Sequence, residues 1–183
     1  MHWRLPPRVA AAAVLMVALG GCYFSTEPVF QDGDRIPITG EYTCENPLTR
    51  QAQTIRITER ASGYWPLKNY EYFDQRGRRS IYRRVRGTLF VGQSRDVARN
   101  GYNYIYVDAV DRSRLFMLMP SIASKGPYLE RLAERHNVSF GERGARGTPN
   151  FLVEMRGTRR AIRRFLLSHE RSLLTVLMSC NRI

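Results

Sequence analysis

Short runs of β-branched and aromatic residues, separated by turn residues, constrain the fold of this chain most strongly. Residues 53–59 read Q-T-I-R-I-T-E, so that Ile55 and Ile57 alternate with polar residues as in a strand with one buried face. Six further runs of similar composition occur at residues 39–45, 69–74, 80–86, 88–93, 102–107 and 114–119. Because each run follows its predecessor after a short connection, we expect seven neighbouring strands in an antiparallel meander.

The apolar period changes in the last third of the chain. After Gly126-Pro127, apolar residues recur at helical spacing and predict a helix that ends near Asn137. Residues 150–155 predict another strand, and Thr158 predicts the N-cap of a second helix that ends near His169. Residues 172–180 are too apolar for an edge strand and predict a central one. The expected fold class is therefore α+β, a curved antiparallel meander sheet or partly closed barrel with two helices of the C-terminal half packed on it.

An export signal precedes these elements. Arg4 and Arg8 are followed by an apolar run from Val9 to Leu19, which would reach about 16 Å as a helix, roughly half of a bilayer's hydrocarbon core. The run ends in Leu19-Gly20-Gly21-Cys22, which resembles the lipobox of bacterial lipoproteins. The resemblance implies that residues 1–21 are removed and that Cys22 carries a diacylglyceryl group and an acylated amino terminus. The alternatives are an ordinary secretory signal that leaves Cys22 as a free thiol and, less favoured because the run is short, an uncleaved anchor.

The lipobox also suggests how the rest of the chain is placed. Acyl chains on Cys22 would hold a folded body at a membrane. The family's inner-membrane retention signal is commonly Asp after the cysteine, and Tyr23 stands there instead, which favours the periplasmic face of the outer membrane. Residues 22–37 are polar and rich in Pro, Asp and Gly, and predict a flexible tether. Residues 38–183 are then expected to form one globular domain.

The chain is strongly basic, with a formal net charge of +13, and all but Lys68 and Lys125 of its 29 basic residues are arginines. Five arginines lie at the start and on the outer face of the second predicted helix: Arg156, Arg159, Arg160, Arg163 and Arg164. Cations are unfavourable at a helix N-terminus, so this group predicts contact with an external polyanion, and a plain solvated surface is the alternative. A second basic group, Arg76, Arg78, Arg79, Arg83, Arg84 and Arg86, surrounds a predicted hairpin turn at Gly77. Nucleic acid is disfavoured as a partner because the chain is exported.

Two cysteines follow Cys22, namely Cys44 and Cys180. An exported chain meets an oxidising compartment, and an isolated pair near the two ends of a domain predicts a disulfide there. Two buried thiols are the alternative. A disulfide would place the last strand near the first.

Catalytic motifs are absent from the sequence. His136 and His169 are the histidines that follow Cys22, and neither belongs to a metalloprotease, hydrolase-elbow or metal-ligand pattern. Both occupy places in predicted helices that fit a structural role. We therefore expect no enzymatic activity, no cofactor and no metal.

Tyrosines alternate along one predicted strand. Tyr102, Tyr104 and Tyr106 share one face, which could form an aromatic surface for sugars or a partner, or could lie buried beneath a helix. Together with the basic residues, they predict a membrane-anchored accessory lipoprotein of the cell envelope that contacts an envelope protein, peptidoglycan or anionic lipid.

A lipocalin-like carrier of an apolar ligand is the alternative function, because a meander of short strands can close around a ligand. A closed barrel with a dry cavity would favour the carrier, and a filled core with exposed tyrosines would favour the binding module. An envelope hydrolase is the third and least favoured interpretation.

Overall fold

The computed structural model describes residues 23–64, 68–143 and 152–183, with the backbone alone at residues 122, 123, 142 and 143. The expected signal peptide and Cys22 lie outside the described residues. The described part contains eleven strands: β1 (Tyr23–Ser25), β2 (Gly40–Glu45), β3 (Ala52–Ser62), β4 (Asn69–Phe73), β5 (Arg79–Arg86), β6 (Leu89–Asp96), β7 (Gly101–Asp108), β8 (Arg114–Pro120), β9 (Ser139–Arg143), β10 (Leu152–Arg156) and β11 (Leu174–Arg182). Two α-helices accompany them in the same residues, α1 (Ile122–Arg135) and α2 (Arg159–Leu167).

Eight strands close into an antiparallel barrel. Each of β2 to β7 pairs with the next strand in the chain, and β11 completes the ring between β8 and β2. The seven predicted meander strands are confirmed, and the last strand is central, as its apolar sequence indicated. The predicted α+β class fits coarsely, but the sheet dominates and the barrel is closed.

A small side sheet branches from β7. β1 pairs with residues 102–104 of β7, while β8 pairs with residues 106–108 on the same edge. β10 then lies parallel to β1, and β9 pairs antiparallel with β10. The strands β1 and β9 were not predicted, because each is short and gains its partners only through tertiary contacts.

The alternation of side chains divides the apolar residues between two cores. Phe90 and Val107 belong to the core inside the barrel, whereas Val91, Tyr104 and Tyr106 face outward into a second core. The second core lies between the barrel wall and the apolar faces of α1 and α2. The helices therefore cover one side of the barrel.

The two cysteines confirm the predicted disulfide. Cys44 of β2 and Cys180 of β11 are directly opposite in the antiparallel pairing and are bonded. The bond spans 136 residues of chain, and a loop of that length corresponds to about 5 kcal/mol in the chain-entropy model. It fastens the strand that closes the barrel to the first barrel strand.

The prediction of a flexible tether is wrong for residues 23–37, which pack against the barrel. Tyr23 and Phe24 are fully buried in β1, and the chain then runs over the outer face of β6. The backbone N–H groups of Val29 and Phe30 donate to Oε1 of Gln93 at 2.7 and 2.8 Å. A polar composition indicated a tether, but its few apolar residues fall where the barrel buries them.

We call residues 26–38 the strap. Past Phe30, the N–H of Asp34 donates to the carbonyl of Tyr82 in β5 at 2.7 Å. Ile36 and Ile38 then enter the core inside the barrel, where each is 1% exposed. The strap thus joins the outer face of the barrel to its interior before β2 begins.

The two helices begin at different kinds of N-terminus. Thr158 caps α2 as predicted, since its Oγ1 accepts a hydrogen bond from the N–H of Ala161 at 3.2 Å. α1 begins before the predicted Gly126-Pro127, because the carbonyl of Ser121 accepts from the N–H of Lys125 and closes a turn upstream. Pro127 therefore lies inside α1.

Candidate functional site: the mouth of the barrel

The barrel opens at one end into a cavity of about 440 Å³, which we call the cup. Its wall is apolar and draws on six strands through Ile55, Ile57, Tyr72, Tyr82, Ile105, Met117 and Met178. Its rim is polar and lies at the turns between β4 and β5 and between β6 and β7. The cup therefore combines an apolar interior with a charged entrance.

Two tyrosines contribute the aromatic part of the wall. The rings of Tyr72 and Tyr82 meet edge to face with centroids 5.4 Å apart. Tyr82 lies against Gly92 of β6, where an added Cβ would come within 2.5 Å of the ring. Burial raises the pKa of Tyr82 to about 12, so this phenol is neutral at physiological pH. Gly92 thus leaves room for a neutral aromatic ring inside the barrel.

The strap holds the other tyrosine in place. Tyr72 Oη accepts a hydrogen bond from the N–H of Ile36 at 2.8 Å. Burial also raises the pKa of Tyr72 above its ordinary value. The strap therefore positions part of the cup wall.

The two aspartates at the rim, Asp74 and Asp96, accept hydrogen bonds from residues of their own turns. Asp74 accepts from the N–H groups of Arg76 and Arg78 and from Nε of Arg78, the last at 2.7 Å. Asp96 accepts from the guanidinium of Arg99 at 2.6 Å. Burial opposes ionisation of both carboxyls, but these hydrogen bonds outweigh it and lower the pKa of each below its usual range. Both aspartates are therefore ionised and paired.

The rim keeps an excess of positive charge. Four arginines line it, against the two aspartates: Arg76, Arg78, Arg95 and Arg99. Within the described residues, Arg78 and Arg99 have a carboxylate partner at salt-bridge distance, whereas Arg76 and Arg95 have none. The side chains of Arg76 and Arg95 are exposed. Arg76 and Arg95 therefore stand at the entrance of the cup without a carboxylate partner among the described residues.

Within the part of the chain that the structure describes, one buried acceptor in the cup wall has no partner. Asn103 donates through Nδ2 to Oδ2 of Asp96 at 2.9 Å, while its Oδ1 is buried without a hydrogen bond. The ionised Asp96 can only accept, so the amide must turn its NH₂ group toward Asp96 and its oxygen away. A buried acceptor without a partner is costly, and it marks this part of the cup as incomplete.

The expected aromatic surface is not present. Tyr104 and Tyr106 are fully buried, and Tyr102 is partly buried against the same core. Tyr106 Oη donates to the carbonyl of Leu166 in α2 at 3.0 Å, and Tyr104 Oη lies 2.8 Å from Ser25 Oγ. The row of tyrosines therefore lies beneath a helix, a strand and the strap. Of the two possibilities that the spacing left open, an exposed aromatic surface and a row buried beneath a helix, the structure has the second.

The five arginines near α2 lie on the outside of the protein, away from the cup. Arg156 pairs with Glu154 at 3.3 Å. Arg159, Arg160 and Arg164 are exposed and Arg163 is half-buried, and no carboxylate of the described residues lies within salt-bridge distance of these four. The hypothesis of a polyanion contact therefore concerns one helix face.

The second basic group is divided among several contacts. Arg79 pairs with Glu71, Arg83 with Asp32 and Asp34 of the strap, and Arg86 with Glu170. Arg84 lies over the ring of Phe90 at 5.0 Å. Arg76 and Arg78 contribute to the cup. The group therefore does not form one surface.

The two histidines lie outside the cup. His169 is fully buried, with Nδ1 at 3.0 Å from the carbonyl of Phe165 and Nε2 at 3.2 Å from Tyr23 Oη. Burial lowers its pKa to about 4. Both ring nitrogens thus have partners that join α2 to β1, which fits a structural role.

The described residues contain no group of three or more His, Cys, Asp or Glu side chains suited to a metal ion. No α-helix among them has the length and apolar character of a membrane span. Comparison of the chain with protein-family models, curated proteins and solved structures finds no match.

Proposed function

We propose that this chain is a lipid-anchored, non-enzymatic protein of the bacterial cell envelope whose barrel binds a small apolar or amphipathic molecule. The cup is the observation that carries the proposal. Its volume of about 440 Å³ falls in the range of small-molecule sites, roughly 300–1,000 Å³, and it combines an apolar wall with polar groups near its entrance, as such sites do. A closed barrel around a cavity is the arrangement that favours a carrier over an aromatic contact surface.

The lipobox-like motif supports the location in the envelope. An acyl group on Cys22 would be one peptide bond from Tyr23, which is fully buried in β1. The body of the protein would then lie directly against the membrane surface, without a spacer. A protein placed there meets lipids and other amphipathic molecules as its nearest solutes. We propose the periplasmic face of the outer membrane as the site.

Photolabelling of the full-length protein in phosphatidylcholine vesicles tests the proposal. The probe is dodecanol with a diazirine on its chain, which inserts into nearby C–H bonds on irradiation. We expect the label in peptides that contain Ile105, Met117 or Met178, and we expect excess unlabelled dodecanol to remove it. Labelling confined to peptides outside the cup, or a cup label that dodecanol does not compete away, would reject the proposal.

A substitution that fills the cup provides the matched control. I105W places a large ring in the cavity and should reduce the cup label at least tenfold. V110W adds the same ring in the β7–β8 connection, at a residue that is 42% exposed and outside the cup, and should leave the label unchanged. Equal labelling of the two variants would contradict the proposal, provided that both show the urea midpoint of the unsubstituted protein.

A further inference from the structure

The charges at the rim narrow the class of ligand. Both aspartates are held by arginines and by backbone N–H groups of their own turns, and so they are not available to a cationic ligand. Arg76 and Arg95 lack a carboxylate partner among the described residues. Each guanidinium offers several donors arranged for a carboxylate or a phosphate. The entrance therefore favours an anionic group on the ligand.

The acceptor on Asn103 supplies an independent constraint. Asn103 belongs to β7, and its neighbours Ser94 and Asp96 on β6 also line the cup near the rim. Its Oδ1 is buried and has no hydrogen-bond partner among the described residues, and only a donor can satisfy it. A ligand that enters the cup head outward would place the atoms next to its head group at this level. A hydroxyl or N–H in that part of the ligand would complete the site.

We infer that the cup binds an amphipathic anion: an apolar chain in the barrel, a carboxylate or phosphate between Arg76 and Arg95, and a hydroxyl or N–H beside the head group that donates to Asn103 Oδ1. The inference rests on the proposed function, because it requires the cup to be the binding site. It adds the sign of the head group and the polar atom next to it. It also accounts for features of one cavity that have no partner among the described residues: the buried acceptor of Asn103 and the two arginines at the rim.

Competition for the dodecanol label tests the head group in the full-length protein. The competitors are dodecanoate, dodecanol and dodecyltrimethylammonium, which share a chain and differ in charge. In the unsubstituted protein we expect dodecanoate to compete about tenfold better than dodecanol, since one or two charged hydrogen bonds are worth about 1.4 kcal/mol or more. Dodecyltrimethylammonium should be the weakest of the three.

Substitution at the rim assigns the preference to particular residues. In the variant R76Q/R95Q, dodecanoate and dodecanol should compete equally, while dodecanol itself competes as before. The variant R159Q/R160Q removes the same charge from α2 and should keep the tenfold preference. Retention of the preference in R76Q/R95Q, or its loss in R159Q/R160Q, would overturn the inference.

The polar atom beside the head group is tested by one more competitor. We expect 3-hydroxydodecanoate to compete about fivefold better than dodecanoate in the unsubstituted protein, and equally well in N103L. Because the readout is a ratio within each variant, a change in overall affinity cancels. An unchanged ratio in N103L would remove Asn103 from the site.

The experiments distinguish a failure of the proposed function from a failure of the inference about the anionic head group. If the dodecanol probe never labels the cup, the proposed function fails. If the probe labels the cup but the three head groups compete equally, the proposed function stands and the inference about the anion fails.

Discussion

At the scale of single residues, the stability of the fold at acid pH depends on the buried imidazole of His169. Burial lowers its pKa to about 4, below the ordinary 6.5 that it regains on unfolding. The unfolded chain therefore takes up a proton before the folded one does, and the stabilisation is complete above pH 6.5 and lost as the pH falls toward 4. Between pH 7 and pH 5 we expect the free energy of unfolding to fall by about 2 kcal/mol through His169. Urea unfolding at a series of pH values measures this change.

Two substitutions isolate the contribution of His169. H169Q removes the titrating group and should flatten the dependence between pH 7 and pH 5, even if the variant is less stable throughout. H136Q alters the other described histidine, which is half-buried and has its pKa lowered by burial and by Arg164 and Arg135, and should keep the part of the slope that belongs to His169. A slope that survives in H169Q would assign the acid sensitivity to other groups.

At the scale of elements, α2 combines a buried face with a cationic one. Ala161, Ile162, Phe165 and Leu166 are buried, and the outer face carries arginines without acidic residues in the first turn. The N-terminus of a helix carries a partial positive charge, so arginines near it are unfavourable. An external anion would therefore stabilise the arrangement. We expect the full-length protein to cosediment with peptidoglycan sacculi at low salt, and we expect the variant R159Q/R160Q/R163Q to lose this binding.

The cup offers a control for that experiment. R76Q/R95Q changes two charges at the rim and should cosediment with sacculi like the unsubstituted protein. Raising the ionic strength should weaken binding in both, since exposed charges are screened. If the α2 variant cosediments unchanged, its arginines are a solvated surface.

The elements also show what the sequence could predict and what it could not. The alternation around Ile55 and Ile57 reports a local property, a strand with one buried face, and the meander strands were predicted for that reason. The cup, in contrast, depends on the closure of the barrel and on the register in which its strands pair. Gly92 and Ser94 leave space inside β6 only once Tyr82 and Asn103 lie beside them. A signal was present in the small residues of the inward face of β6, but it could be read as a cavity only after that face was known. The strap was missed because Phe30 and Ile36 are isolated in a polar segment.

At the scale of the whole molecule, residues 23–38 and the last strand are both built into the barrel. The strap places Phe30 against Tyr104, with ring centroids 6.3 Å apart, and continues to Ile36 and Ile38 in the other core. The disulfide fastens β11 to β2. A force or a displacement at residue 22 would therefore act on the barrel itself and not on a slack linker. The cup wall depends on the same connection through Ile36 and Tyr72.

Truncation of one side chain in the strap distinguishes this arrangement from a tether. Phe30 is 2% exposed, and F30A should lower the free energy of unfolding by about 3–5 kcal/mol, because it removes a buried ring and leaves a cavity. L48A truncates an apolar side chain that is 83% exposed and should change it by less than about 0.5 kcal/mol. Urea unfolding of the full-length variants with the disulfide intact measures both. A tether would make the two substitutions equally harmless, so equal urea midpoints for F30A and L48A would show that the strap does not support the barrel.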